Sequence, residues 1–163
     1  MTENTNQWFI DERSRVLALM YLSRRTDLVI KDVKDRDIGL DFMVSILKAN
    51  ETRPVRQFGI ALKGSTSPLT IVQLNEALRP AIESFQDIGQ FPYPIGLVYF
   101  TMQDDRGYFT WLAEPRVAEG GPLLLFHSEP HCHPFDTGLL DRIVEAVDRW
   151  YDAFFARIAV KAS

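Results

Sequence analysis

The sequence predicts an α/β protein of the α+β kind, with a mixed central sheet and helices packed on it. Three observations indicate this class: three consecutive runs rich in Val, Ile and Phe, a nearly all-apolar run at residues 95–100, and a long apolar face near the C-terminus. The predicted element order is α-β-β-β-α-β-β-β-α, in one domain over residues 1–163. With 163 residues, 46% of them hydrophobic, the chain is long enough to bury a core.

The first half of the chain is predicted to form a helix and three strands. Residues 10–25 carry apolar side chains at helical spacing, with acidic residues in the first turn and Arg24 and Arg25 in the last, which complements the helix dipole. Residues 28–33, 40–47 and 55–63 are separated by turn-forming clusters. This pattern is typical of sequential strands joined by hairpin-like connections.

A second helix is predicted after the Ser-Thr-Ser-Pro stretch at residues 65–68, which can cap a helix start. Its apolar stripe comprises Leu74, Leu78, Ile82 and Phe85. Pro80 lies within this stripe and leaves the boundaries of the helix open, since proline disrupts helix interiors.

The second half is predicted to complete the sheet. The run at 95–100 is typical of a strand buried on both faces and reached by a helical crossover, so we expect it at the centre of the sheet. Residues 104–107 form a turn into a strand at 108–113, which gives an extra hairpin, and 123–126 is a short further strand. The long C-terminal helix spreads aromatic residues over more than one face, so one side is expected to cover the sheet and a second to form a homodimer interface.

The charge, the cysteine count and the motifs of the chain argue against several classes of function. The formal net charge is −4, so any contact with DNA must come from a local basic patch. The single cysteine, Cys132, excludes an internal disulfide. Residues 1–7 lack the features of a secretory signal, and no apolar run approaches the roughly 20 residues that span a bilayer, so a cytoplasmic protein with no membrane contact is expected. No Gly-rich phosphate loop is present, which argues against an NTPase or a dinucleotide-binding enzyme.

Two carboxylates and a lysine are predicted to meet at the ends of neighbouring elements. Glu12 lies on the first helix, Asp41 opens the second strand, and Lys63 closes the third. Such a group can hold a divalent cation and polarise a phosphate. Each residue taken alone also fits a structural role: a helix N-terminal charge, an acceptor of backbone hydrogen bonds, and a solvated strand end. Asp37 is a weaker candidate, because it can simply cap the turn that follows it.

This order, with Gly39-Leu40-Asp41 before the second strand and Lys63 after the third, resembles the PD-(D/E)xK nuclease superfamily. The most similar members are Mrr-type restriction endonuclease domains and a bacterial family of uncharacterised stand-alone domains with an Asp-x-Gly-x-Asp and then a Gln-x-Lys pattern. Residues 94–99 and 106–112 are also similar to the second family. The resemblance implies a restriction-endonuclease-like α-β-β-β-α-β core and hydrolysis of phosphodiester bonds in DNA.

The resemblance also implies roles for individual residues. Asp41 would be the central ligand of Mg²⁺ or Mn²⁺, Glu12 a second ligand, and Lys63 a positive charge beside the scissile phosphate. Ala61 departs from the family pattern, which has Glu, Asp or Gln there, on the same strand face as Lys63. Two expectations therefore stand: a metal-dependent nuclease, or a catalytically degenerate binding or regulatory module of the same fold, by family analogy in phage defence. A third is an unrelated α+β protein with a small-molecule pocket.

Two further groups of residues offer other chemistry. His127, His131, Cys132 and His133 lie close together in the sequence, but their spacing matches no zinc motif, and a rigid surface loop between prolines explains them equally well. A basic concentration could hold a phosphate backbone, although interleaved aspartates largely cancel it. Its members are Arg24, Arg25, Lys31, Lys34 and Arg36.

Overall fold

The computed structural model describes residues 2–35, 39–53, 55–87 and 91–162, and its elements follow the predicted order with one addition. The addition is a two-residue strand, β7, before the last helix. In chain order the elements are α1 (Thr2–Leu22), β1 (Leu28–Asp35), β2 (Leu40–Ile46), β3 (Arg56–Ser65), α2 (Ile71–Asp87), β4 (Ile95–Thr101), β5 (Arg106–Ala118), β6 (Gly121–Phe126), β7 (His133–Pro134) and α3 (Thr137–Ala162).

The strands form one mixed sheet in the order β1-β2-β3-β4-β5-β6, with β7 also pairing with β5. Strands β3 and β4 are parallel and the other pairs antiparallel. A parallel pair needs a crossover connection, and α2 provides it. The mixed sheet is confirmed, as is the central position of β4, whose seven residues are all buried.

Two apolar clusters lie on opposite faces of the sheet. One packs α1 and α3 against strand residues such as Phe42, Phe58 and Phe100. The other packs α2 against residues that include Ala61 and Leu97. Because successive side chains of a strand point to opposite faces, neighbours such as Ala61 and Leu62 belong to different clusters.

The limits of α1 differ from the prediction. The helix begins at Thr2 and ends at Leu22, so Arg24 and Arg25 lie beyond it and its last turn holds no basic residue. The expected dipole match was therefore wrong at both ends, because Asp11 and Glu12, expected in the first turn, lie in the middle of the helix. The guanidinium of Arg25 instead forms ion pairs with Asp27 at 2.7 Å and with Asp141 of α3 at 2.6 Å. These tertiary contacts fix its position more directly than a helix terminus would.

Helix α2 also starts later than the predicted cap at residues 65–68. The Oγ1 of Thr70 accepts a hydrogen bond from the N–H of Gln73 at 3.3 Å, and the Oε1 of Gln73 accepts one from the N–H of Thr70 at 3.0 Å. This reciprocal pair is a capping box. Pro80 lies inside the helix and does not end it.

Helix α3 is fixed to the sheet by polar contacts as well as by its apolar face. The indole N–H of Trp150 donates to the carbonyl of Leu123 at 3.0 Å, and the hydroxyl of Tyr151 donates to the carbonyl of Gln57 at 2.8 Å. Among the helices in the described ranges, none is both long enough and apolar enough to cross a membrane.

Candidate functional site

A cleft opens where β2 and β3 separate. Their backbone ladder ends at the pair Phe42 and Ile60, so the preceding residue of β2, Asp41, has no backbone partner on β3. Its side chain takes over that role, because Oδ2 accepts the N–H of Leu62 at 2.7 Å. The carboxylate thus satisfies a backbone donor that the ladder leaves unpaired.

All three residues predicted to meet do line this one cleft, whose volume is about 680 Å³. Glu12 comes from α1, Asp41 from β2 and Lys63 from β3. Glu12 and Lys63 are exposed, whereas the side chain of Asp41 is 34% exposed. The other polar lining residues are Asp11, Ser14, Arg15 and Asp32.

The carboxyl of Asp41 is in an unfavourable place for a negative charge. Burial raises its pKa above the ordinary value, and the nearby negative charge of Asp11 adds to this. The N–H of Leu62 and the positive charges of Arg15 and Lys63 lower the pKa, but burial prevails.

Two residues of α1 complete the cleft, and the sequence reasoning did not single them out. The guanidinium of Arg15 forms a close ion pair with Asp32 of β1, and its Nη1 lies 4.0 Å from Oδ1 of Asp41. Ser14 is only 2% exposed, and its Oγ has no hydrogen-bond partner. The available signal was spacing, because Arg15 lies four residues after Asp11 and therefore on the same side of the helix.

Ala61 does not lie on the cleft. It is 1% exposed and packs in the apolar cluster beneath α2. Lys63, two residues further along the same face, lies near the end of β3 and reaches the cleft. A longer side chain at position 61 would therefore contact residues of this apolar cluster.

The cleft has the chemistry of a cation site. Four of its lining side chains are carboxylates and two are cationic, so negative charge is in excess. Mg²⁺ is commonly held by one or two carboxylates, with water and substrate oxygens completing its shell. Asp41 and Glu12 supply such a pair, although nowhere in the described ranges are three His, Cys, Asp or Glu side chains grouped closely enough to hold a metal ion. The cleft thus offers two separate carboxylates and, within the described residues, no closed protein cage.

Two of the basic residues clustered between positions 24 and 36 already make contacts within the chain. Arg25 is ion-paired, and the guanidinium of Arg24 lies over the ring of Tyr21, 4.6 Å from its centroid. Asp37, Arg36 and the side chain of Lys34 lie outside what the structure describes.

The histidine-containing segment lies beside β5, away from the cleft. The Nε2 of His127 is 2.5 Å from Oε2 of Glu114, and the rings of His127 and His131 meet edge to face with centroids 5.9 Å apart. Burial raises the pKa of Cys132 to about 11, so its thiol is protonated at neutral pH and is a poor nucleophile.

Comparisons of the chain with models of known families, with curated proteins and with solved structures gave no match. The resemblance to PD-(D/E)xK nucleases therefore stays an expectation from the sequence motifs.

Proposed function

We propose that the chain is a metal-dependent nuclease-like domain whose cleft hydrolyses phosphodiester bonds of DNA. The observation that carries the proposal is the shared location of Glu12, Asp41 and Lys63, which come from three different elements and line one cleft. Neither helix periodicity nor strand alternation requires these side chains to converge.

A divalent cation fits the electrostatics of the cleft. The excess of carboxylates in its lining disfavours a phosphate backbone unless a cation compensates it. Asp41 and Glu12 would hold Mg²⁺ or Mn²⁺, which when bound would supply Lewis acidity and a more acidic water.

The protein side chains have separate roles in this proposal. The bond from the N–H of Leu62 fixes one oxygen of Asp41 and leaves the other, Oδ1, directed away from that bond. Lys63 is exposed at the end of β3, where its ammonium can stabilise the negative charge that develops on a phosphate under attack. The guanidinium of Arg15 forms its close ion pair with Asp32, and its Nη1 stays 4.0 Å from Oδ1 of Asp41.

The test is cleavage of plasmid and linear DNA in Mg²⁺ or Mn²⁺. We expect Asp41→Asn and Lys63→Met to lower the cleavage rate by about 100-fold or more, as for removal of a group that stabilises a transition state. Asp141→Asn is the matched control, because Asp141 is an exposed, ion-paired aspartate of α3 outside the cleft. Absence of cleavage by the unaltered protein with either cation would refute the hydrolytic proposal.

A second candidate is a catalytically degenerate module that binds DNA, or regulates a partner in phage defence, without cleaving. The burial of Ala61 under α2 favours it, since position 61 contributes no ligand. Calorimetric titration with Mn²⁺ separates the candidates: the degenerate module should give no heat that depends on Asp41 and Glu12. Binding of labelled DNA without cleavage would then identify it as a binding module.

We also propose that the chain forms a homodimer through α3. Phe154 and Ile158 of this helix are 39% and 51% exposed, and they border an apolar groove against β6. Two copies of a nuclease-like domain suit action on two DNA strands.

A further inference from the structure

A second cavity lies beside the part of β5 that pairs with neither β6 nor β7. It shares no lining residue with the cleft. Strand β6 pairs with β5 only from Ala113 onward, and β7 pairs with Tyr108 and Phe109. Residues 110–112 of β5 lie between these two paired stretches and pair with neither strand. We call the resulting space, of about 430 Å³, the β5 notch.

The segment at residues 127–133 covers this gap and is held in place at several points. The N–H of His127 donates to the carbonyl of Leu112 at 3.3 Å, and the N–H of His131 donates to Oγ1 of Thr110 at 3.1 Å. Glu129 forms an ion pair with Arg79 of α2 at 3.3 Å. The segment thus presents its histidines to the notch from a fixed backbone.

The lining of the β5 notch combines positive charge with an apolar floor. Its polar members are Thr110, Arg116, Arg142, His127, His131 and His133, with Glu114 as the one acid, and its apolar members include Phe109, Trp111, Leu139 and Ile143. The volume lies within the roughly 300–1,000 Å³ of small-molecule sites, which are mostly apolar with a few placed polar groups.

The charge of Glu114 is already compensated inside the β5 notch. Its Oε1 accepts from Nε of Arg116 at 2.9 Å, and its Oε2 faces His127. Arg142, one turn into α3, is exposed and has no ion-pair partner among the described residues. A guanidinium that is positioned but unpaired is suited to bind a carboxylate or a phosphate.

From these contacts we infer that the β5 notch binds a small organic anion, with a carboxylate or phosphate group on Arg142 and an apolar, ring-sized body on the half-buried Trp111. A metal ion is a poor alternative occupant, because no three potential metal ligands are grouped together in the described ranges. The site is independent of the proposed nuclease function.

The test uses three probes of similar size: phenyl phosphate, benzoate and the neutral benzyl alcohol. We expect one of the two anions to bind saturably by calorimetry, and the stronger of the two identifies the anionic group. Arg142→Gln should weaken this binding about tenfold or more, the usual loss for a hydrogen bond to a charged group. Arg149→Gln, at an exposed arginine further along α3, should leave it unchanged.

Three results would overturn the inference. They are the absence of saturable binding by either anion, equal affinity for benzyl alcohol, and equal losses in the Arg142 and Arg149 variants. Inorganic phosphate tests the apolar contact, because affinity equal to that of phenyl phosphate would mean that Trp111 takes no part and would overturn that half of the inference.

Discussion

At the scale of single residues, Asp41 is held in a position that favours its neutral form. It accepts a backbone N–H where the ladder of β2 and β3 ends, and burial raises its pKa despite the positive charges of Arg15 and Lys63. A carboxyl whose pKa is raised by burial suits a binding or catalytic role better than a purely structural one. The effect of the raised pKa of Asp41 on the stability of the fold can be measured directly.

We predict that Asp41→Asn raises the free energy of unfolding at pH 7. The folded protein keeps the Asp41 proton to a higher pH than the unfolded chain does, so stability falls as pH rises from the ordinary pKa of 3.8 through the raised one. Asparagine keeps an oxygen for the N–H of Leu62 without the charge. Urea unfolding at several pH values should show the advantage shrinking as the pH falls through the raised pKa of Asp41 towards 3.8, and absent below that value. An advantage that is independent of pH would contradict this reasoning.

Position 61 gives a second prediction at this scale. Ala61→Glu should destabilise the fold by at least about 2 kcal/mol, because the new carboxyl enters the apolar cluster under α2. Ala156→Glu, at an exposed position of α3, should change stability little. Thermal unfolding of both variants gives the comparison. If the Ala61 variant kept its stability and cleaved DNA faster, the new side chain would have reached the cleft.

The sequence could predict that Asp41 and Lys63 lie near each other, because they stand near the ends of neighbouring strands, whereas Glu12 lies in the middle of α1 and reaches the cleft through the packing of that helix. It could not predict the ion pair of Arg15 with Asp32 or the unpartnered hydroxyl of Ser14, since both depend on how α1 packs across the sheet. Residue order fixes which elements are neighbours, and packing fixes which side chains touch.

At the scale of elements, the closeness of α1 to β3 depends on Gly64. A Cβ added there would lie 2.8 Å from Oγ of Ser14, 3.0 Å from Cγ2 of Ile10 and 3.0 Å from the carbonyl oxygen of Phe100. The first two atoms belong to α1 and the third to the backbone of β4, which cannot turn away. Glycine therefore lets α1 approach the sheet, and this approach positions Glu12 over the cleft.

Gly64→Ala should therefore destabilise the protein by about 1–3 kcal/mol, as overpacking does, and should weaken any activity that depends on Glu12. Gly120→Ala is the matched control, because a Cβ at that position meets no atom within 4 Å. Denaturant unfolding and DNA cleavage of the two variants, side by side, test this. Equal effects of the two substitutions would show that contact with α1 is not the cause.

Element limits were predicted less well than element types. The start of α2 was placed at residues 65–68, whereas the capping box of Thr70 and Gln73 sets it. Several Ser and Thr residues in this stretch can cap a helix, and only the reciprocal bond of Gln73 selects one of them. Arg25 was assigned to the end of α1, but its carboxylate partners lie in the following turn and on α3.

At the scale of the whole molecule, two of the cavities lined by the described residues lie apart from each other, one at the opening between β2 and β3 and one at the edge of β5. The first could be predicted because charged residues flank consecutive strands in the sequence. The second could not, since it depends on where β6 and β7 stop pairing with β5. The sequence indicated the histidines but not the arginines and aromatic rings that face them.

The outer strand of the sheet leads to the prediction of a dimer. Strand β6 lies at an edge of the sheet, with no further strand of the described residues beside it, and Leu123, Leu125 and Phe126 are each more than 40% exposed. Exposed apolar edge strands promote association, and a second copy of the same strand can pair with it about a two-fold axis. Phe154 and Ile158 of α3 extend this apolar surface.

We expect sedimentation to show a monomer–dimer equilibrium that shifts with protein concentration. Leu125→Lys and Ile158→Lys should each move it toward the monomer, because a lysine in the contact must lose its hydration. Val72→Lys is the control, since Val72 is 67% exposed on α2 and lies outside this surface. An unaltered chain that stays monomeric at every concentration would contradict the prediction. Equal shifts of the monomer–dimer equilibrium in all three variants would also contradict it. If the dimer forms and the unaltered chain cleaves DNA, loss of double-strand cuts with retention of single-strand nicks in the Ile158 variant would connect the dimer to the chemistry of the cleft.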